Sequence, residues 1–111
     1  DFYSRVLGME VITFGQGRTA LRLGGQKINL HAARAPIAPH ADRPVPGSAD
    51  LCLVAVGGID AAAAHLAACG VPVELGPVER AGARGPVRSL YVRDPDRNLV
   101  ELAFYDGAGE A

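Results

Sequence analysis

Polar and apolar positions alternate with the two-residue period of a strand over Glu10–Phe14, and again over Thr19–Leu23 and Lys27–His31. Gly15-Gln16-Gly17 and Gly24-Gly25 supply the turns between them, so the pattern predicts an antiparallel meander. Before the meander the period changes. Phe2, Tyr3, Val6 and Leu7 recur at helical spacing, and Gly8 stands where a C-terminal cap belongs, which predicts a short amphipathic helix. With no initiator Met, N-cap or earlier turn, the chain is expected to start inside that helix and to be an N-terminally truncated sequence.

From Ala32 to Ser48 the pattern dissolves into Ala, Pro, His and Arg, as in a connection between two halves. The second half opens with a nearly continuous apolar run, Asp50–Val56, of strand length. Gly57-Gly58 breaks it, and Asp60 is expected to cap a helix over Ala61–Cys69 that Gly70 stops. Ile59, Ala62, Ala63 and Leu66 form its core face. Strands over Pro72–Leu75, Val87–Val92 and Leu99–Tyr105 follow, with a loop at Pro77–Pro86. The halves therefore read α-β-β-β and β-α-β-β-β, an internal repeat that becomes regular if one strand precedes Asp1. Two such modules can gather inward-pointing side chains on the concave face of a curved sheet.

Composition adds bounds rather than a function. A chain of 111 residues is one domain, and 49% hydrophobic with 21% charged residues argues against disorder. A net charge of −1 gives no electrostatic reason to expect nucleic acid or a membrane surface as partner, and no apolar run approaches bilayer length. Cys52 and Cys69 sit in an apolar strand and an Ala-rich helix, where a thiol packs as a small hydrophobe. They suggest no disulfide framework, and a cytoplasmic location is expected.

Chemistry concentrates near the C-terminal end, in Arg93-Asp94-Pro95-Asp96-Arg97-Asn98 and the strand after it. Asp-Pro-Asp presets a turn, since Pro fixes φ and Asp side chains accept from nearby backbone N–H groups. Alternation then puts Glu101 on the face opposite Val100, Leu102 and Phe104. A carboxylate there needs a partner, water or a cation. Arg80, Arg84 and Arg88 lie upstream and offer bidentate hydrogen bonds to a carboxylate or phosphate, against the alternative of a solvated loop. No Ser-His-Asp order, CxxC pair, P-loop or dinucleotide fingerprint is present.

FYSRVLGM at 2–9, DLCLVAV with its following helix and Gly70-Val71, and DPDRNLVEL at 94–102 together resemble the vicinal oxygen chelate superfamily, which includes glyoxalase I, extradiol dioxygenases and bleomycin-resistance proteins. QKINLH and PGSADLC, at 26–31 and 46–52, are most similar to small single-domain glyoxalase-like proteins. The resemblance implies an α+β fold of two βαβββ modules forming a curved mixed-sheet cup, the first module lacking its leading strand, over a single domain at 1–111. It implies a divalent metal ion (Zn, Ni, Mn or Fe) in the cup, with Glu101 as the last-strand ligand and catalytic carboxylate. Asp50 falls where many relatives carry a first-strand His, and favours oxygen-preferring metals. Asn29 and His31 compete for the last-strand position of the first half; Asn29 matches by place, His31 by chemistry. Asn29 and Arg84 are the substrate-binding candidates. The fourth ligand would belong to a strand upstream of Asp1. Arg97 stands where relatives usually have Gly, and is expected to be strained if φ is positive there.

The resemblance implies a metal-dependent lyase or isomerase acting on a small oxygenated substrate, working as a homodimer. The alternatives are a metal-free binding protein of the bleomycin-resistance type and a ring-cleavage dioxygenase, which needs two His and one Glu where this chain has Asp50.

Overall fold

The computed structural model describes residues 1–15 and 17–105, which fall into two compact units divided between Ser48 and Ala49. The turn residue Gln16 lies outside the described residues.

The first unit opens with a single π-helical turn, Phe2–Val6, in place of the expected α-helix. Leu7 N–H donates to Phe2 O at 3.2 Å and Met9 N–H to Tyr3 O at 2.9 Å, so the turn is wider than the α ladder. It still buries Phe2 and Val6, and Gly8 at φ 74° ends it in the left-handed conformation assigned to it. β1 (Glu10–Phe14), β2 (Arg18–Leu23) and β3 (Gln26–Leu30) form the antiparallel meander, each within one residue of the sequence reading. Glu10 pairs with Arg22 across it, their side chains 3.0 Å apart. Register places Ile12, Phe14, Arg18, Ala20, Lys27 and Asn29 on one face and Val11, Leu21, Ile28 and Leu30 on the other. His31 lies one residue beyond β3.

The second unit is a β-α-β-β-β module, and its four-stranded sheet has the order β4-β7-β6-β5. β4 (Asp50–Val54) runs parallel to β7 (Leu99–Tyr105), whereas β5 (Leu75–Gly82), β6 (Gly85–Arg93) and β7 pair antiparallel, so the sheet is mixed. α1 (Ile59–Ala68) contacts β6, with Ile59 and Leu66 buried. The apolar row Leu90, Val92, Val100, Leu102 and Phe104 forms the buried core of this unit. The fold is thus α+β, a turn of helix plus three strands followed by a β-α-β-β-β module.

Four local expectations are corrected. The N-cap of α1 is Gly58 and Asp60 stands inside the first turn, where its charge favours the helix dipole without capping it. The segment at Pro77–Pro86 is a hairpin of β5 and β6 rather than a loop, and the strand expected at Pro72–Leu75 begins only at Leu75. Gly76-Pro77 reads as a break, but β5 is an edge strand with a register shift between Leu75 and Val78, a position where the missing N–H of Pro77 costs no ladder bond. Cys52 is exposed rather than buried, because it alternates onto the face opposite the core row.

The Asp-Pro-Asp turn joins β6 to β7 and clamps the start of β4. Asp94 is 5% exposed, and its carboxylate accepts from Asp96 N–H at 3.0 Å, Asn98 N–H at 2.8 Å and Asn98 Nδ2 at 2.8 Å. Asn98 Oδ1 in turn accepts from Ala49 N–H at 2.8 Å. Arg97 takes φ 69°, so the strain expected of a side chain at that position is present.

Candidate functional site

Glu101 is half-buried on the face of the second sheet opposite the core row. Its cross-strand partners are Cys52 on β4 and Tyr91 on β6, and the neighbouring rows are Asp50–Leu99–Arg93 and Val54–Ala103–Ser89. Two-residue periodicity therefore brings Asp50, Cys52, Ser89, Tyr91, Arg93 and Glu101 to one face. Ser89 is fully buried, and its hydroxyl donates to Glu101 Oε2 at 2.7 Å. A short bond from an immobile donor fixes the position of the carboxylate.

Cys52 records the same charge from the other side. Its thiol is held above the ordinary value first by local desolvation, although the residue as a whole keeps an exposed surface. The Glu101 carboxylate adds to this by its charge and by hydrogen bonding with the thiol, and Asp50 adds a smaller repulsion. Tyr91 is fixed at its phenol oxygen, which accepts from Arg80 Nε at 3.1 Å. That leaves the Tyr91 O–H proton available to a ligand on this face. Arg93 is committed to Glu74 by two bonds, Nε to Oε1 at 3.0 Å and Nη2 to Oε2 at 2.9 Å. This pairing holds the Glu74 carboxyl below the usual carboxylate range.

The other expected site residues are distributed differently. Asn29 and His31 line an open-mouthed cavity of about 150 Å³ in the first unit. His31 Nδ1 accepts from Ile37 N–H at 3.1 Å, which leaves Nε2 as its remaining ring nitrogen. His40 stands edge-on to it, ring centroids 6.1 Å apart. Arg84 sits in the β5–β6 turn, its N–H on Tyr105 Oη at 2.8 Å and its guanidinium 4.3 Å from that ring's centroid. The three upstream arginines do not converge, since Arg80 shares the Glu101 face while Arg88 alternates to the opposite one.

The metal that the resemblance implies needs several ligands converging on one point. Among the described residues no three His, Cys, Asp or Glu side chains gather closely enough to hold an ion. Asp50 and Glu101 share a face one register row apart, with Cys52 the third potential ligand there, and they do not close into a metal-binding set. The described residues therefore do not fit a metal by themselves.

Arg80 was among the arginines the sequence offered for an anion, whereas Ser89 and Tyr91 were not singled out as site residues. Their signal was the alternation Val87, Ser89, Tyr91, Arg93, which becomes informative only once the register of β6 on β7 is known. Cys52 had a plainer signal, its two-residue spacing from Asp50 along one strand.

The helix turn with its three-strand meander, the β-α-β-β-β module and the clamped turn ahead of a strand carrying Glu101 define a glyoxalase-type fold. The chain belongs to the Glyoxalase/Bleomycin resistance protein/Dioxygenase superfamily, whose model matches residues 1–102. It is 55% identical over 108 residues to the glyoxalase domain-containing protein RDO1 of Mycosarcoma maydis, matching 97% of this chain and 61% of that protein. Virulence protein STM3117 of Salmonella typhimurium is 47% identical, matching 94% of this chain and 72% of that protein. The chain thus spans between three-fifths and three-quarters of the length of these relatives. The crystal structure of STM3117 superposes with a TM-score of 0.91, covering 94% of this chain and 82% of that one. Lactoylglutathione lyase from Agrobacterium tumefaciens is similar at 26% identity and a TM-score of 0.66, covering 97% and 84%.

Proposed function

We propose that this chain carries the catalytic carboxylate of a glyoxalase-like lyase or isomerase that moves a proton at a carbon next to a carbonyl in a small oxygenated substrate. The observation that carries this reading is the Glu101 carboxylate, held at Oε2 by the buried Ser89 hydroxyl and directly opposite Tyr91. Ser89 holds Oε2 and the Cys52 thiol also hydrogen-bonds the carboxylate, which takes the proton on a remaining lone pair. Tyr91, pinned by Arg80, presents its O–H to the oxygen on which charge develops. The likeness to a lactoylglutathione lyase supports the class of reaction. No step is assigned to a metal, since the described donors do not assemble one. A divalent ion on Glu101 would require ligands from another segment or another copy of the chain.

The incomplete donor set among the described residues favours a second reading, a metal-free small-molecule binding protein. One experiment separates them. Solvent deuterium incorporation into S-lactoylglutathione, followed by proton NMR with Zn²⁺, Ni²⁺, Mn²⁺ or Fe²⁺ added singly, is expected for wild type and should fall about 10²- to 10⁴-fold in Glu101→Gln. Equal exchange by the two proteins would sink the role of Glu101. Parallel thermal scans report binding of each ion, because a ligand specific to the native state raises the melting temperature. No exchange and no thermal shift with any ion would favour the binding protein.

A further inference from the structure

The cavity of the first unit has a chemistry that neither Glu101 nor its neighbours share. It is lined by Phe14, Arg18, Lys27, Asn29, His31 and Ile37, among others, and among the described residues no acidic side chain lies in its wall. Arg22, the cross-strand neighbour of Lys27, is paired with Glu10, and Arg5 in the opening turn is paired with Asp1. Arg18 and Lys27 have no ion-pair partner among the described residues, and register puts both on the face that carries Phe14 and Asn29. Lys27 Nζ stands 4.2 Å from the Phe14 ring centroid, which fixes the ammonium beside an apolar surface. His31 accepts at Nδ1 from Ile37 N–H, so the neutral ring must carry its proton on Nε2 and serve as a donor. The wall thus combines two uncompensated cations and a tautomer-locked donor with an aromatic ring and an aliphatic side chain.

We propose that this cavity binds a small organic anion, its carboxylate or phosphate held by Arg18 and Lys27 and its apolar body against Phe14 and Ile37. A volume of about 150 Å³ matches a body the size of a benzene ring. Neutral ligands of the same shape lose the charge-assisted bonds, and cationic ones are repelled. The inference does not rest on Glu101, which lies on a different sheet.

Calorimetric titration of the full chain with benzoate, phenyl phosphate and the neutral isostere benzamide tests it, with the His31 ring protons followed by NMR in the same titrations. Benzoate or phenyl phosphate should saturate and shift the His31 signals, and benzamide should bind about tenfold or more weakly, the difference expected for charge-assisted bonds. Which anion binds tighter tells a carboxylate site from a phosphate site. Lys27→Met and Arg18→Gln should each weaken the anion about tenfold with little change for benzamide, Lys27→Arg should retain it, and Glu101→Gln should leave it unchanged. Both substituted side chains are exposed, so an unchanged melting temperature can verify folding. Equal affinity for benzamide and the anions, unchanged anion binding in both cation variants, or the absence of saturable binding by either anion would each overturn the proposal.

Discussion

Glu101 acts on its surroundings, and Cys52 reports this. Because local desolvation and the adjacent carboxylate both oppose the thiolate, Cys52 should be alkylated by iodoacetamide along a pH profile displaced above that of an ordinary thiol, near 8.5. The sign follows from the charges. Glu101→Gln removes the repulsion and should move the profile down in pH, toward but not below the ordinary value, since the desolvation remains. Identical profiles by peptide mass spectrometry in wild type and variant would show that Glu101 does not face the thiol. Arg97 poses a residue-scale question of a different kind. At φ 69° its side chain carries a left-handed penalty of about 1–2 kcal/mol, part of which glycine would recover before its greater unfolded-state entropy is charged against it. Arg97→Gly is therefore expected to stabilise by about 0.5–1 kcal/mol in urea unfolding, with m unchanged.

At the scale of elements, the β5–β6 hairpin holds the site through backbone contacts that no side-chain pattern advertises. Gly76 sits at φ 119°, and a Cβ there would collide with the Ser89 carbonyl oxygen, on backbone that cannot swing aside. Gly76→Ala should cost about 2 kcal/mol or more, combining conformational strain with displacement of β6. Since Ser89 holds Glu101, the same substitution should lower any Glu101-dependent exchange even where the protein remains folded. A variant as stable as wild type, measured by thermal unfolding, would contradict the close approach of the two strands. The turn at Asp94 presents the opposite case. Its carboxylate accepting from nearby backbone N–H groups was written in the spacing of Asp-Pro-Asp and the strand that follows, whereas its clamp on Ala49 through Asn98, 49 positions away, was not.

The whole molecule leaves sheet edges and apolar side chains exposed. β4 and β5 are the outer strands of the second sheet, and Val54 and Val56 at the β4 end are 55% and 80% exposed. Unpaired edges flanked by apolar surface favour pairing with another copy, so the chain is expected to sediment as a homodimer at micromolar concentrations. A monomer persisting at high micromolar concentration would count against it. No helix among the described residues is long and apolar enough to cross a membrane.

What the sequence determined by itself came from local period and turn chemistry. The meander, the Gly8 and Gly70 helix ends, the strand at Leu99–Tyr105 and the face of Glu101 all follow from which residues recur at two or 3.6 positions and which permit positive φ. Family membership was legible for the same reason, since its motifs are the turns and strand ends themselves. Only tertiary structure decided what surrounds the carboxylate. Ser89, Tyr91 and Cys52 meet Glu101 through strand register, a pairing of residues 10 to 49 positions apart that no local pattern encodes. The same holds for Pro77. Its ring breaks a central strand but not an edge, and which strand lies at the edge is settled by the order of the sheet rather than by the residues of that strand.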